Sequence, residues 1–233
     1  MTNISSERPI CKNSFEMASW SFNRVVCGLD EVGRGSLAGP LVTAAVILPV
    51  STEIDLLKDS KILAEKERLE AYCWIVNNSW YAVGIVDHHS IDRYNIWNAT
   101  LVAMKKALMH VLAGCPHVPA SILIDAMPLK LSDTSYNFVP VYYFDKGESR
   151  SSSIAAASIV AKVTRDNLMK KLDSLFPGFY LDSHKGYGTK KHKDVLKEKS
   201  PLIIHRRSFL NNIDLYGENE DEYGEQQTIC GSY

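Results

Sequence analysis

Asp30 and Glu31 follow a short apolar run, RVVCGL, and two adjacent acids in that position are unusual. Neighbouring side chains on a strand point to opposite faces, so both can serve one site only if the strand ends or bulges there. Gly28, Gly33 and Gly35 nearby would permit either. The competing reading is a turn that opens with ordinary surface acids. Asp125 directly follows the apolar SILI and precedes AMPL. The C-terminal edge of a central strand is where α/β sheets present ligands, although an N-cap or turn Asp reads the same way in isolation. Asp145 and Glu148 follow a third apolar run, VPVYYF. Three strand ends therefore carry acid in a chain without His/Cys metal spacing. Clustered carboxylate oxygens suit hard cations such as Mg²⁺ and Mn²⁺, and converging acids repel one another unless a cation neutralises them. The matching chemistry is two-metal phosphodiester hydrolysis, with ions roughly 3.5–4 Å apart.

Two further strings bear on what such a site would cleave. Gly33-Arg34-Gly35 stands beside the acid pair. Glycines let backbone groups approach a sugar-phosphate closely, and an Arg between them can bind phosphate. No GK[ST] follows, and the spacing is not GxGxxG, so neither nucleotide-loop fingerprint applies. Lys185-Gly186-Tyr187-Gly188-Thr189 places a tyrosine between glycines and basic residues. This suits stacking on a sugar or base at a phosphate-binding surface. A Gly-Tyr-Gly turn with its ring packed on neighbours is the plainer reading of the same string.

The elements needed to position these residues are visible in the hydrophobic pattern. Strands are expected near residues 24–29, 43–48, 80–86, 121–124 and 139–144, and helices near 64–76, 95–112, 151–176 and 192–199. The first three strands are joined by links that suit antiparallel pairing, while the later ones are separated by helices long enough for parallel crossovers. The expectation is an α/β fold: a mixed five-stranded sheet flanked by helices, with a small C-terminal helical module. Residues 1–23 read as a loosely ordered lead-in, 24–180 as the main domain, 181–215 as a basic helical module of that domain, and 216–233 as an acidic, disordered tail.

Composition sets the outer limits. A chain of 233 residues with 45% hydrophobic and 23% charged residues can bury a sizeable core and is neither disordered throughout nor a disulfide miniprotein. No apolar stretch is long enough to span a bilayer, and the N-terminus lacks a secretory signal pattern. Five scattered cysteines without CxxC fit a reduced, cytoplasmic protein. The net charge of −1 conceals a partition. The tail holds five acids and no Lys or Arg, and without it 26 bases face 22 acids. Residues 183–207 hold eight Lys/Arg against two acids, which suggests a polyanion partner or a solvated basic face.

Taken together, CGLDEVGRGSLAGPLVTAAVIL, LKDSK, ILIDAMP, KGESRSSSIAAASIVAKVTRD, HKGYGT and HRRSF resemble, in order and spacing, the type 2 ribonucleases H, and among them bacterial ribonuclease HII. The resemblance covers about residues 24–210. It implies a ribonuclease H-like fold and a metal-dependent endoribonuclease that cleaves the RNA strand of RNA–DNA hybrids and incises at ribonucleotides embedded in duplex DNA. It assigns catalysis and binding of Mn²⁺ or Mg²⁺, in a two-metal site, to Asp30, Glu31, Asp125 and Glu148. The family's usual residue at the last position is Asp, so KGES is a departure, and Asp145 is demoted. It also implies that the backbone at Gly33, Arg34 and Gly35 reads 2′-hydroxyls, that Tyr187 packs on the deoxyribose 3′ of the ribonucleotide, and that Lys61 and Lys185 join the substrate-binding residues. The expected partners are hybrid and ribonucleotide-containing duplex, with no membrane, for a monomer. Gln226, Ile229 and Tyr233 loosely echo a sliding-clamp-binding peptide. The rival readings are a ribonuclease HIII-type enzyme, a resolvase-like DNA nuclease and a non-catalytic hybrid-binding protein.

Overall fold

A computed structural model describes residues 2–3, 12–52, 57 and 63–211. In chain order the elements are β1 (Thr2–Asn3), α1 (Ser14–Trp20), β2 (Cys27–Val32), β3 (Leu41–Ile47), α2 (Glu65–Asn78), β4 (Trp80–Val86), α3 (His88–Gly114), β5 (Ile122–Asp125) and β6 (Val141–Phe144). A 3₁₀ turn follows at Gly147–Ser149, then α4 (Ser152–Leu175), α5 (Leu181–His184), α6 (Lys190–Glu198) and α7 (Arg207–Leu210).

The five expected strands form one mixed sheet, and the two-residue β1 is added at its edge beside β6, giving the order β1-β6-β5-β2-β3-β4. β2, β3 and β4 are antiparallel, and β2, β5 and β6 are parallel. Every residue of β3 is buried, as a strand covered on both faces must be. Its side chains alternate accordingly. Val42, Ala44 and Val46 pack with Ala71 and Ile75 of α2 and Ala156, Val160 and Val163 of α4. Ala45 and Ile47 pack with Met104, Leu108 and Val111 of α3.

Helix α4 approaches the sheet closely because its first two turns are mostly Ser and Ala, and because β2 answers with glycine. A Cβ on Gly28 would stand 2.1 Å from the Ser153 carbonyl carbon. Ser151 caps this helix, its side chain accepting from the Ile154 N–H (3.1 Å). Residues expected as a loose lead-in include α1, whose buried Glu16 accepts hydrogen bonds from the Ser151 hydroxyl and the Ser153 N–H. Phe15 adds ring contacts to Tyr142 and Phe144.

The helix expected over 95–112 is the second part of the longer α3. Asn95 interrupts it with φ 64°, and its side chain accepts from the Asn98 N–H (3.0 Å), so it acts as an internal cap. At the C-terminal end, Leu37, Met169, Phe179, Leu181, Val195 and Leu196 form a small core that joins α5 and α6 to α4.

Candidate active site

The strand-end question raised by Asp30 and Glu31 has a specific answer. β2 pairs with β3 without interruption through Val32, placing Asp30 opposite Ala44 and Glu31 opposite Thr43. On its other side, pairing with β5 stops at Leu29↔Ile124. The two acids thus lie where one neighbour has ended and the other continues, with no bulge required. Asp30 shares the face of Gly28 toward α4 and is only 5% exposed. Its carboxyl is pushed well above the usual carboxylate range, first by burial and then by the charges of Glu31 and Asp125. Hydrogen bonds from Ser158 of α4 and from the Glu31 N–H (2.7 Å) partly offset this.

Asp125 ends β5 opposite Phe144 of β6. Its Oδ1 accepts from the Gly147 N–H (2.7 Å), which fixes the 3₁₀ turn carrying Glu148. The chain on either side of this contact takes left-handed conformations at non-glycine residues, Ala126 (φ 53°) and Lys146 (φ 57°). Backbone strain of this kind concentrates at functional sites. Glu148 is 6% exposed, whereas Asp145 lies on the surface.

The donor set suits a hard divalent cation: carboxylates only, placed at the ends of β2 and β5 and in the turn after β6, with Glu31 and Asp125 raising the proton affinity of Asp30. Among the described residues, no three His, Cys, Asp or Glu side chains are already drawn into one coordination sphere. A cation bound beside Asp30 would relieve the repulsion it feels from Glu31 and Asp125.

The GRG loop leaves β2 directly beside these acids. Gly33 has φ 89°, and a Cβ there would sit 2.2 Å from Arg165 Nε. Gly35 is different. It is exposed, its φ lies outside the left-handed region, and nothing stands within 4 Å of where its Cβ would be. Arg34 donates weakly to Glu31 Oε1 (3.4 Å) and lies over the Trp97 ring at 6.0 Å. The KGYGT string meets this loop: Ser36 and Tyr187 form an antiparallel bridge, and the Leu37 N–H donates to Gly186 O (2.8 Å). The half-buried Tyr187 ring lies 5.3 Å from the Arg165 guanidinium. Lys185 is close by in the chain, with its ammonium turned onto Asp182. Lys61, Gln226, Ile229 and Tyr233 lie outside the described residues.

The KGYGT loop rests on three buried histidines that sequence reasoning did not single out. His184 stacks on His192 at 4.0 Å, His192 Nδ1 meets Tyr187 O (3.0 Å), and His192 Nε2 meets His205 Nε2 (3.1 Å). Burial is the main cause that lowers all three pKa values, to about 4 for His192 and His205, so the cluster is neutral at physiological pH. Ser158, Arg165 and Arg206 were also missed. Each belongs to a quoted string, but a serine or arginine in a helical or loop string shows no local sign of being buried.

The ribonuclease HII family profile matches residues 27–212. The chain is 45% identical over 188 residues to a ribonuclease HII of Clostridioides difficile (strain 630), covering 80% of this chain and 70% of that protein. It is also 45% identical over 190 residues to one of Fusobacterium nucleatum, covering 81% and 86%. The fold resembles the Archaeoglobus fulgidus ribonuclease HII solved in complex with PCNA (TM-score 0.68, 24% identity, 85% of this chain and 100% of that one). It also resembles the Pyrococcus horikoshii ribonuclease H2 (0.65, 25%, 79% and 93%). A more distant likeness is to Bst-RNase HIII in complex with Mn²⁺ (0.55, 24%, 66% and 55%). With carboxylates at three strand ends, the GRG loop beside them and the profile matched from the start of β2 to the end of α7, the chain belongs to the ribonuclease HII family.

Proposed function

We propose that this chain is a metal-dependent endoribonuclease that hydrolyses the RNA strand of RNA–DNA hybrids and incises at ribonucleotides embedded in duplex DNA. The observation that carries the proposal is the juxtaposition of a carboxylate rim (Asp30, Glu31, Asp125, Glu148) with an exposed glycine, Gly35, whose missing side chain no protein atom requires. A glycine facing open space beside a carboxylate cluster suits close backbone approach to a substrate.

Asp30, Glu31, Asp125 and Glu148 would hold the cations, Mg²⁺ or Mn²⁺ in a two-metal arrangement. Such cations supply Lewis acidity toward the phosphoryl oxygens and neutralise developing charge. The remaining work falls to the chain itself. RNA is distinguished from DNA mainly by the 2′-hydroxyl, which both donates and accepts hydrogen bonds. Backbone groups at Gly33, Arg34 and Gly35 would meet it, and the Tyr187 ring would pack on the following deoxyribose. Arg34, Lys185 and Lys61 contribute phosphate contacts that set register without sequence preference. Water attacks phosphorus as the bond to the 3′-oxygen breaks, leaving a 3′-hydroxyl and a 5′-phosphate. Monomeric action in the cytoplasm belongs to this reading, and the free thiols of Cys27, Cys73 and Cys115 are in keeping with a reducing compartment. So does docking on a sliding clamp through Gln226, Ile229 and Tyr233.

The test compares a duplex carrying one embedded ribonucleotide with its all-DNA control, each incubated with Mg²⁺, with Mn²⁺ or with EDTA. Incision of the first duplex alone, and with a metal present, is the expected result. Cleavage of the all-DNA control would indicate a resolvase-like nuclease. Binding without cleavage in either metal would indicate a hybrid-binding protein.

A further inference from the structure

Arg165 lies in the AKVTRD string of α4, a string the proposed chemistry does not use. Its side chain is 0% exposed. Four hydrogen bonds leave its guanidinium: Nε donates to Pro40 O (2.9 Å), Nη1 to Lys185 O (2.8 Å), and Nη2 to Ser36 Oγ (2.7 Å) and Ala38 O (3.3 Å). Three of these acceptors belong to the chain that follows GRG, and one belongs to the KGYGT string. The Ser36 hydroxyl passes the connection on by donating to Gly33 O (2.8 Å). Gly33 lies against the guanidinium, with no room for a Cβ. On the other side, the Tyr187 ring centroid is 5.3 Å from Arg165 Cζ. A single side chain thus touches both loops to which the 2′-hydroxyl contact and the deoxyribose contact have been assigned.

The energetics indicate what this arrangement is for. None of the four acceptors is a carboxylate; they are three carbonyls and a hydroxyl. Burying a charge among neutral acceptors alone is costly, and well-packed apolar residues often stabilise a buried position better. A planar fork with fixed donor directions offers instead a defined spacing between the groups it binds. We infer that Arg165 is a positioning residue that sets the distance between the GRG backbone and the Tyr187 ring, and so fixes the one-nucleotide step at which a ribonucleotide followed by a deoxyribonucleotide is accepted. Arg206 supports the same loop from behind, donating to Arg34 O (2.8 Å) and Gly39 O (3.0 Å).

This inference rests on the proposed reading of the GRG and Tyr187 contacts, and its test separates the two. Wild-type enzyme is assayed first on a duplex with one embedded ribonucleotide, on its all-DNA control and on a long RNA–DNA hybrid. If wild type does not prefer the embedded ribonucleotide to all-DNA, the reading itself fails. If it does, Arg165→Lys, which keeps the charge and loses the fork, is measured on both ribonucleotide substrates together with its melting temperature. Misplacement by ~1 Å can cost on the order of a hundredfold, so the ratio of single-ribonucleotide to hybrid kcat/KM should fall by about tenfold or more. A long hybrid presents ribose on both sides of the cleaved bond and depends less on that spacing. A purely structural role lowers both rates together with the melting temperature and leaves the ratio unchanged, and that result overturns the inference. Ser36→Ala provides a milder test should Arg165→Lys fail to fold: it removes one of the four bonds and should move the ratio in the same direction, by roughly two- to fivefold. An unchanged ratio in a folded Ser36→Ala enzyme overturns the inference equally.

Discussion

Gly33 and Gly35 share one tripeptide, and the structure gives them opposite reasons for being glycine. At Gly33 the reason is internal: φ is 89° and a Cβ would overlap Arg165 Nε at 2.2 Å. Gly33→Ala should therefore lower stability by at least the ~1–2 kcal/mol that a left-handed L-residue costs, with a further loss from displacing a buried guanidinium. For a chain of this size that is roughly 2–4 °C in melting temperature per kcal/mol. At Gly35 no internal reason exists, because the added methyl would meet no protein atom within 4 Å and the backbone conformation suits alanine. Gly35→Ala should leave the melting temperature unchanged or raise it slightly, since a compatible Gly→Ala change stabilises by ~0.4–1 kcal/mol through the unfolded chain. Its cost should appear only with substrate.

If the methyl holds the 2′-hydroxyl away from the loop backbone, a buried polar pair is left unmade, at ~1–3 kcal/mol. That converts to about a 5- to 150-fold loss in kcat/KM. The assay is steady-state incision at a single embedded ribonucleotide, run beside thermal melting of the same preparations. A folded Gly35→Ala enzyme with wild-type kcat/KM would show that nothing approaches this position closely, and would remove the observation on which the proposed function rests.

Asp125→Asn should abolish cleavage in Mg²⁺ while preserving hybrid binding and folding, because the amide oxygen can still accept from the Gly147 N–H; near-wild-type turnover would refute its role as a metal ligand. Tyr187→Ala should reduce single-ribonucleotide incision by about ten- to a hundredfold more than hybrid cleavage, and a parallel loss with a lowered melting temperature would show that the ring merely packs its loop. Acid should destabilise the fold between about pH 6.5 and 4 through His192 and His205: below the ordinary histidine pKa of 6.5 the unfolded chain binds protons that the folded chain, with values of about 4, refuses. Above pH 6.5 neither state is protonated there and the contribution is complete. Asp30 acts in the opposite sense, its raised pKa favouring the folded state as pH falls, so the histidine contribution is isolated by comparing melting curves of wild type and His205→Asn across this range; identical pH dependence would refute it.

The parts of this site legible in the sequence were those announced by contrast with their surroundings. Asp30, Glu31 and Asp125 stand out because acids interrupt apolar runs that have to be buried strands. The long α4 was legible from the serines that could cap its start and from its Pro177-Gly178 stop. Local pattern could not show how two adjacent strand residues reach one site, because the answer lies in unequal neighbours: β3 accompanies β2 through Val32, and β5 leaves it at Leu29. Nor could it show Glu16, which reaches across more than a hundred residues to Ser151 and Ser153. A helix is read from Asn95 because Trp97, Leu101, Met104, Leu108 and Leu112 recur at helical spacing; the stretch before Asn95 lacks that pattern but is helical too.

The least legible feature carries the most consequence for function. Ser158 and Arg165 both read as ordinary polar positions on a helix. They are seven residues apart, two turns, and therefore lie along the same face, ~10.5 Å apart along the axis. Ser158 hydrogen-bonds Asp30 at the carboxylate rim, and Arg165 holds the GRG and KGYGT loops. The turns before them are seated on β2 so tightly that Gly28 cannot carry a Cβ. A single helix, fixed to the sheet at its N-terminal end, thus spaces the groups assigned to chemistry from the groups assigned to recognising the sugar. Interiors packed at crystal-like density transmit displacement rather than absorb it. A bulkier residue at Gly28 would lift α4 and move Ser158 and Arg165 together. Catalytic rate and ribonucleotide selectivity should then fall in step, unlike Arg165→Lys, in which selectivity falls first.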